Sequence, residues 1–168
     1  SLGMYHFATA AITGDGEPEA LPILETTSGV FHALGLRPAA GRLLTRAEED
    51  PEGPDLAMLG YGYWQNRFGG DPGVIGRTVV VDGVSREIVG VAPPELKALG
   101  TDPAIIRLLR YQRANLFVGN VGYESVARLR DGFSAEQALA DIERMLPMAL
   151  EKFPGGPVAA AAQGSTTV

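Results

Sequence analysis

The stretch Thr78-Val79-Val80-Val81-Asp82-Gly83-Val84-Ser85-Arg86-Glu87-Ile88-Val89-Gly90-Val91 decides the fold class. Its first four residues are β-branched, and the run from Val84 to Val91 returns. The two residues between them, Asp82-Gly83, suit a type I′ turn, in which both central residues take positive φ. This is a β-hairpin, and Pro93-Pro94 stops its second strand.

Upstream, residues 56–59 read as a short buried strand. Tyr61, Trp64 and Phe68 recur at i, i+3 and i+7, one face of a two-turn helix, which Gly69-Gly70 ends. Before it, Glu48, Glu49, Asp50, Glu52 and Asp55 lie among Pro51, Gly53 and Pro54, which predicts a solvated acidic loop. Residues 37–44 read as an irregular connector. A short helix buries Phe31 and Leu34, with Thr27 or Ser28 as its cap and Gly35 as its left-handed stop. At the start, residues 5–12 and 20–25 form a first hairpin around Gly14-Asp15-Gly16, its second strand demoted to an edge or bulged strand by Pro18 and Pro22.

Downstream, Ile105, Ile106, Leu108 and Leu109 interleave with Arg107, Arg110 and Arg113, which predicts a helix with a basic face. Residues 123–129 alternate as a strand. Ser134 and Gln137 make a capping box for a last helix, along which Ala135, Ala138, Leu139, Ile142, Leu146, Leu150 and Phe153 form an apolar stripe. Pro147 predicts a kink, and residues 154–168 read as a loose tail. Hairpins and a strand–helix unit in one chain predict α+β architecture.

The 168 residues suffice for a core without disulfide or metal staples. Fourteen basic against twenty acidic residues give a net charge of −6, which argues against nucleic acid as a partner. With no cysteine, Cys-ligated zinc, iron–sulfur clusters, thiol catalysis and disulfides are excluded. No run reaches the roughly 18 apolar residues of a membrane span. The first eleven residues lack the basic region of a signal peptide. A start at Ser-Leu-Gly suggests a piece excised from a longer protein.

Candidate chemistry is sparse. No Gly-Lys pair exists, so there is no phosphate-cradling P-loop, and Gly14-x-Gly16 and Gly60-x-Gly62 lack the remaining glycines of a dinucleotide loop. The acidic group offers hard oxygens for calcium but not the ligand spacing of an EF-hand loop. His6 and His32 lie in unrelated segments, and no Gly-x-Ser-x-Gly nucleophile motif accompanies them. Tyr61, Trp64 and Phe68 at helical spacing read as core before they read as a stacking platform. Arg107, Arg110 and Arg113 are few for a lipid-binding face and read as a solvated one. No catalytic, cofactor-binding or metal-binding residue is assigned.

The run Thr27-Ser28-Gly29-Val30-Phe31-His32-Ala33-Leu34-Gly35-Leu36-Arg37-Pro38-Ala39-Ala40-Gly41-Arg42 resembles the "S-x-x-F-x-x-L-G-x-x-P-x-x-G-R" stretch of MacB-like periplasmic core domains. So do Leu59-Gly60-Tyr61-Gly62-Tyr63-Trp64-Gln65-Asn66-Arg67-Phe68-Gly69-Gly70-Asp71-Pro72 with Ile75-Gly76-Arg77-Thr78, the Asp82-Gly83 hairpin through Pro94, and Val126-Ala127-Arg128-Leu129-Arg130-Asp131-Gly132 with Ala138-Leu139-Ala140. The likeness covers about residues 27–153. Asp102-Pro103-Ala104-Ile105-Ile106 departs from it, and the strand and helix that would precede residue 1 are missing. The resemblance implies a non-catalytic extracytoplasmic domain of a MacB/FtsX-type ABC transporter permease in the cell inner membrane, facing the periplasm or exterior. It implies coupling of cytoplasmic ATP hydrolysis to export or to partner interaction, with no cofactor of its own. Implied partners are the flanking transmembrane helices, the cytoplasmic ATPase, and a dimer mate or periplasmic adaptor. It also implies two interlocked subdomains: a discontinuous porter-like part from residues 1–26 and 118–153, and an inserted small α/β part, residues 27–117. The alternative is a stand-alone α+β ligand- or protein-binding module.

Overall fold

In the computed structural model, which describes residues 1–13, 18–111 and 122–152, the first hairpin is β1 (Leu2–Thr13) against β2 (Glu19–Thr26). Its turn at Gly14-Asp15-Gly16 and the expected tail lie outside the described residues. Helix α1 (Gly29–Leu34) follows and stops at Gly35, whose φ of 68° is left-handed. The connector after it carries only the two-residue β3 (Ala40–Gly41). Then come β4 (Leu56–Leu59) and α2 (Tyr61–Phe68). The Asp-Gly hairpin is β5 (Thr78–Val81) with β6 (Val84–Val91). Asp82 at φ 52° and Gly83 at φ 79° supply the two positive φ values of its turn. β7 (Ile105–Leu108), β8 (Glu124–Ala127) and α3 (Ala135–Lys152) complete the order.

The basic helix expected at residues 105–113 is instead a strand over residues 105–108. β7 lies parallel to β2 and antiparallel to β4, and Ile105 and Ile106 are both fully buried. A strand covered on both faces shows no hydrophobic alternation, so its apolar run is open to a helical reading. The acidic run also departs from a plain loop. Arg46–Glu49 is a 3₁₀ turn closed by a capping box between Thr45 and Glu48.

The ladders form a ring. They run β1–β2–β7–β4–β6–β5 and return to β1 through Ile12↔Val81 and Thr13↔Val80. The other half of that β1 edge pairs with β8, from Leu2↔Ala127 to Tyr5↔Glu124. Two of the ladders, β2–β7 and β4–β6, are parallel and the rest antiparallel. Mixed pairing with segregated helices is α+β architecture.

Alternate residues of the strands feed two core layers. All six ring strands contribute to the layer of Ile12, Ile23, Leu59, Val81, Ile88 and Ile105, which lines the inside of the ring and is closed by Trp64 of α2 and Val74. The outer layer sets Leu24, Met58, Val89 and Ile106 against Val30 and Phe31 of α1.

The chain falls into two compact units, residues 1–110 with 124–127, and residues 111–123 with 128–168. The first holds the ring. In the second, Tyr111 and Tyr123 meet edge to face at 5.9 Å. Ahead of α3 the expected capping box forms: the Ser134 N–H donates to Gln137 Oε1 at 2.9 Å and the Gln137 N–H to Ser134 Oγ at 3.3 Å. Pro147 lies within this helix, and Leu139, Ile142 and Leu146 of its stripe are exposed.

Candidate functional site: the charged end of the strand ring

Strand parity carries the apolar inside of the ring into a cluster of charges at one end. Glu25 lies two residues beyond Ile23, and Arg107 two beyond Ile105, so both continue the inner face. The register sets them directly opposite each other. Arg86 precedes Ile88 by two, and Asp55 precedes Ala57 by two, so they join the same end.

Arg107 donates through Nε to Glu25 Oε1 at 2.8 Å, with Nη2 paired to the same oxygen at 2.6 Å, and through Nη1 to Asp82 Oδ2 at 3.2 Å. Arg86 and Arg110 share Asp55: their Nη1 atoms lie 2.8 and 3.4 Å from Asp55 Oδ1. Arg110 Nη2 also donates to the Pro54 carbonyl. Arg86 Nε is buried without a hydrogen-bond partner. Burial pushes the Arg86 guanidinium down from its usual range. Asp55 opposes that push, and the neighbouring Arg107 and Arg110 add to it. Three guanidiniums face three carboxylates, so the cluster is formally neutral. It offers no net field to gather a polyanion or an anionic lipid surface. What it does is tie together segments that are far apart in sequence.

The other singled-out residues are dispersed. Trp64 is buried and its Nε1–H donates to the Asp71 carbonyl at 2.8 Å, while Tyr61 and Phe68 pack at the edge of the same core layer. Arg113 lies outside the described residues. His6 is on β1, whereas His32 is exposed on α1 at a cavity of about 400 Å³ that also touches Ser28, Arg46 and Glu49. There Glu49 Oε1 accepts from both the Ser28 N–H (2.7 Å) and its hydroxyl (2.5 Å). The serine proton is thus directed at a carboxylate that anchors the start of α1, and the arrangement is not that of a nucleophile with a histidine base.

The acidic residues do not converge either: Glu48 pairs with Arg42, Glu49 with Ser28, and Asp55 with Arg86 and Arg110. Among the described residues no three His, Asp or Glu side chains are grouped to hold a metal. In the sequence Glu25 carries no signal, and Asp82 stands out only as a turn residue. Their role becomes visible only through the register of β2 with β7 and the closure of the ring.

Burial pushes the Glu48 carboxyl up, but hydrogen bonds from Arg42 and Thr45 outweigh it and hold it below the usual carboxylate range. A depressed carboxylate stabilises the fold above its unfolded pKa, and that contribution is lost as pH falls through the folded value. Glu48→Gln should therefore lower the melting temperature at pH 7, and the gap to the parent should shrink as melts are taken down toward pH 3. A gap constant with pH would show that the carboxylate charge contributes nothing.

The family model for the MacB-like periplasmic core domain matches residues 4–145. The chain belongs to this family. Solved structures resemble the chain in fold. The periplasmic region of MacB from Actinobacillus actinomycetemcomitans superposes with a TM-score of 0.65 at 16% identity, covering 100% of this chain and 77% of that one. A domain of a putative permease protein from Porphyromonas gingivalis gives 0.64 at 17% identity, covering 94% and 66%. The extracellular domain of the noncanonic ABC-type transporter YknZ from Gram-positive bacteria gives 0.59 at 15%, covering 90% and 74%. At these identities the structures bear on the fold alone. No curated protein matched the chain. In this MacB-like domain, no helix among the described residues is long and apolar enough to cross a membrane.

Proposed function

We propose that this MacB-like domain is the extracytoplasmic part of an ABC transporter permease anchored in the cytoplasmic membrane, and that it relays the cytoplasmic ATPase cycle to export or to a partner without doing chemistry itself. The observation that carries the reading is the family match across residues 4–145, most of the chain. The charged end of the ring fits it, because its side chains are engaged in joining strands. Such a domain works by moving stiff elements, and coupling of that kind travels through packed interfaces. Partners are then the flanking membrane helices and the ATPase, with a dimer mate or an adaptor beyond them.

The two-part organisation belongs to the same proposal: residues 1–26 and 118–153 as the porter-like part, and 27–117 as the insert. Pairing of β1 with β8 supports the first part. The ladders that β1 and β2 share with β5 and β7 join the insert to it in one sheet.

Titration of the purified chain with ATP and Mg²⁺ in a calorimeter, with a phosphate-release assay beside it, should give neither saturable binding nor turnover. Micromolar binding or turnover above buffer would overturn the reading. A parent gene without membrane-spanning segments around this stretch would favour a stand-alone binding module.

A further inference from the structure

We propose that the β1–β5 seam is where the strand ring opens, and that Asp82 is its latch, held shut by the Arg107–Glu25 pair. The inference stands on the ring alone, so its failure would leave the transporter reading intact.

Among the described residues, β1 and β5 share two residue pairs, Ile12↔Val81 and Thr13↔Val80, whereas β1 and β2 share eight. The β4–β7 ladder also has two pairs, but all four of its residues are fully buried, and Gly60 donates to the Ala104 carbonyl beside them. In the β1–β5 seam Ile12 and Val81 are buried but Thr13 and Val80 are only half-buried, and one end of the seam lies at the exposed hairpin tip, where Asp82, Gly83 and Val84 face solvent. Short ladders at exposed edges open at lower free energy than buried ones.

Asp82 supplies what the ladder lacks. Its N–H donates to the Ala11 carbonyl at 2.9 Å, and its Oδ1 accepts the Ala11 N–H at 3.0 Å. One residue thus engages both backbone groups of its β1 neighbour. Its second oxygen, Oδ2, meets Arg107 Nη1, and Arg107 is held by Glu25 of β2. The hairpin tip is therefore tied to β7 and β2, two strands it does not pair with. A closed seam needs the charge triad, and an open one releases β5 from β1 while β1 keeps its ladders to β2 and β8.

The turn geometry makes the latch separable from the hairpin. Asp82 sits at φ 52°, a left-handed position that asparagine and glycine both tolerate. Asp82→Gly removes the latch, Asp82→Asn keeps an acceptor for Ala11 but removes the charge, and Arg107→Gln cuts the tie to β2.

Hydrogen exchange of the 168-residue chain, read per amide by NMR and corrected for intrinsic rates, tests the proposal. In the parent, the amides of Ala11 and Asp82 should exchange at least about tenfold faster than the ring controls Gly60, Ala92 and Ala104. Asp82→Gly should speed the amides of Ala11 and residue 82 by a further factor of about ten, with the controls unchanged. Asp82→Asn and Arg107→Gln should give smaller accelerations at the same two amides, and they carry the test if the glycine variant does not fold. Seam amides as protected as Gly60 and Ala92 in the parent, or variants that speed all five amides equally, would overturn the latch and make the seam part of one cooperative core.

Discussion

Trp64→Ala should destabilise the ring-bearing unit by about 3–5 kcal/mol, the range for emptying a large aromatic from a core. The indole closes the inside of the ring, packed with Val74, Ala104 and Ile105 and edge to face with Tyr61 at 5.8 Å. Its Nε1–H satisfies the Asp71 carbonyl, where the chain turns out of α2. Truncation removes the packing and the hydrogen bond together. Against a total stability of about 5–15 kcal/mol, that is a large fraction of what keeps a domain folded. Urea unfolding should show a much lower midpoint with little change in slope. Trp64→Phe should lose less, since the ring volume is largely kept and only the Asp71 partner is missing. A midpoint for Trp64→Ala close to that of the parent would mean that the indole is not packed in solution, and would reopen the aromatic face as a binding platform.

The parts of the fold that were legible are those in which neighbours in sequence determine the element. The β5–β6 hairpin follows from β-branched runs around Asp82-Gly83, and α1, α2 and α3 follow from apolar spacing with Gly35, Gly69 and the Ser134–Gln137 box at their ends. β7 is not legible locally: burial on both sides removes its alternation, so Ile105-Ile106-Arg107-Leu108-Leu109-Arg110 fits a helical period as well. The acidic run was legible as polar but not as useful. Glu49 serves Ser28, 21 positions away, and Asp55 serves Arg86 and Arg110, 31 and 55 positions away. The charged end of the ring was hidden for the same reason. Ile23-x-Glu25 and Ile105-x-Arg107 place their charges on the inner face only once β2 and β7 are known to pair. Closure of the ring depends on β1 dividing one edge between β5 and β8, and nothing local encodes that division.

Gly60→Ala is the substitution expected to do most with the fewest atoms. Gly60 joins β4 to α2 at φ −70°, an ordinary backbone conformation, so no strain of its own demands glycine. The reason is space. Its N–H donates to the Ala104 carbonyl at 2.9 Å, and a Cβ there would overlap the carbonyl oxygen of Pro103. That oxygen belongs to the backbone entering β7, whose Ile105 and Ile106 are fully buried. A methyl group must therefore push β4 and β7 apart or move the start of α2, and either shift disturbs the packing of Trp64. Overpacking that moves backbone costs typically 1–3 kcal/mol, and this site should lie at about 3 kcal/mol or above, since neither neighbour can rotate away. Gly62→Ala supplies the contrast. There the obstacle is the Asp102 carboxylate, the end of a side chain that pairs with Lys97 and is partly exposed, so it can swing aside. That change should cost at most about 1 kcal/mol, offset in part by the better helix propensity of alanine inside α2. Unfolding midpoints for the two variants, measured side by side, should differ clearly in that order. Equal losses would mean that the close approach of β4 to the β7 entry is not what makes residue 60 a glycine.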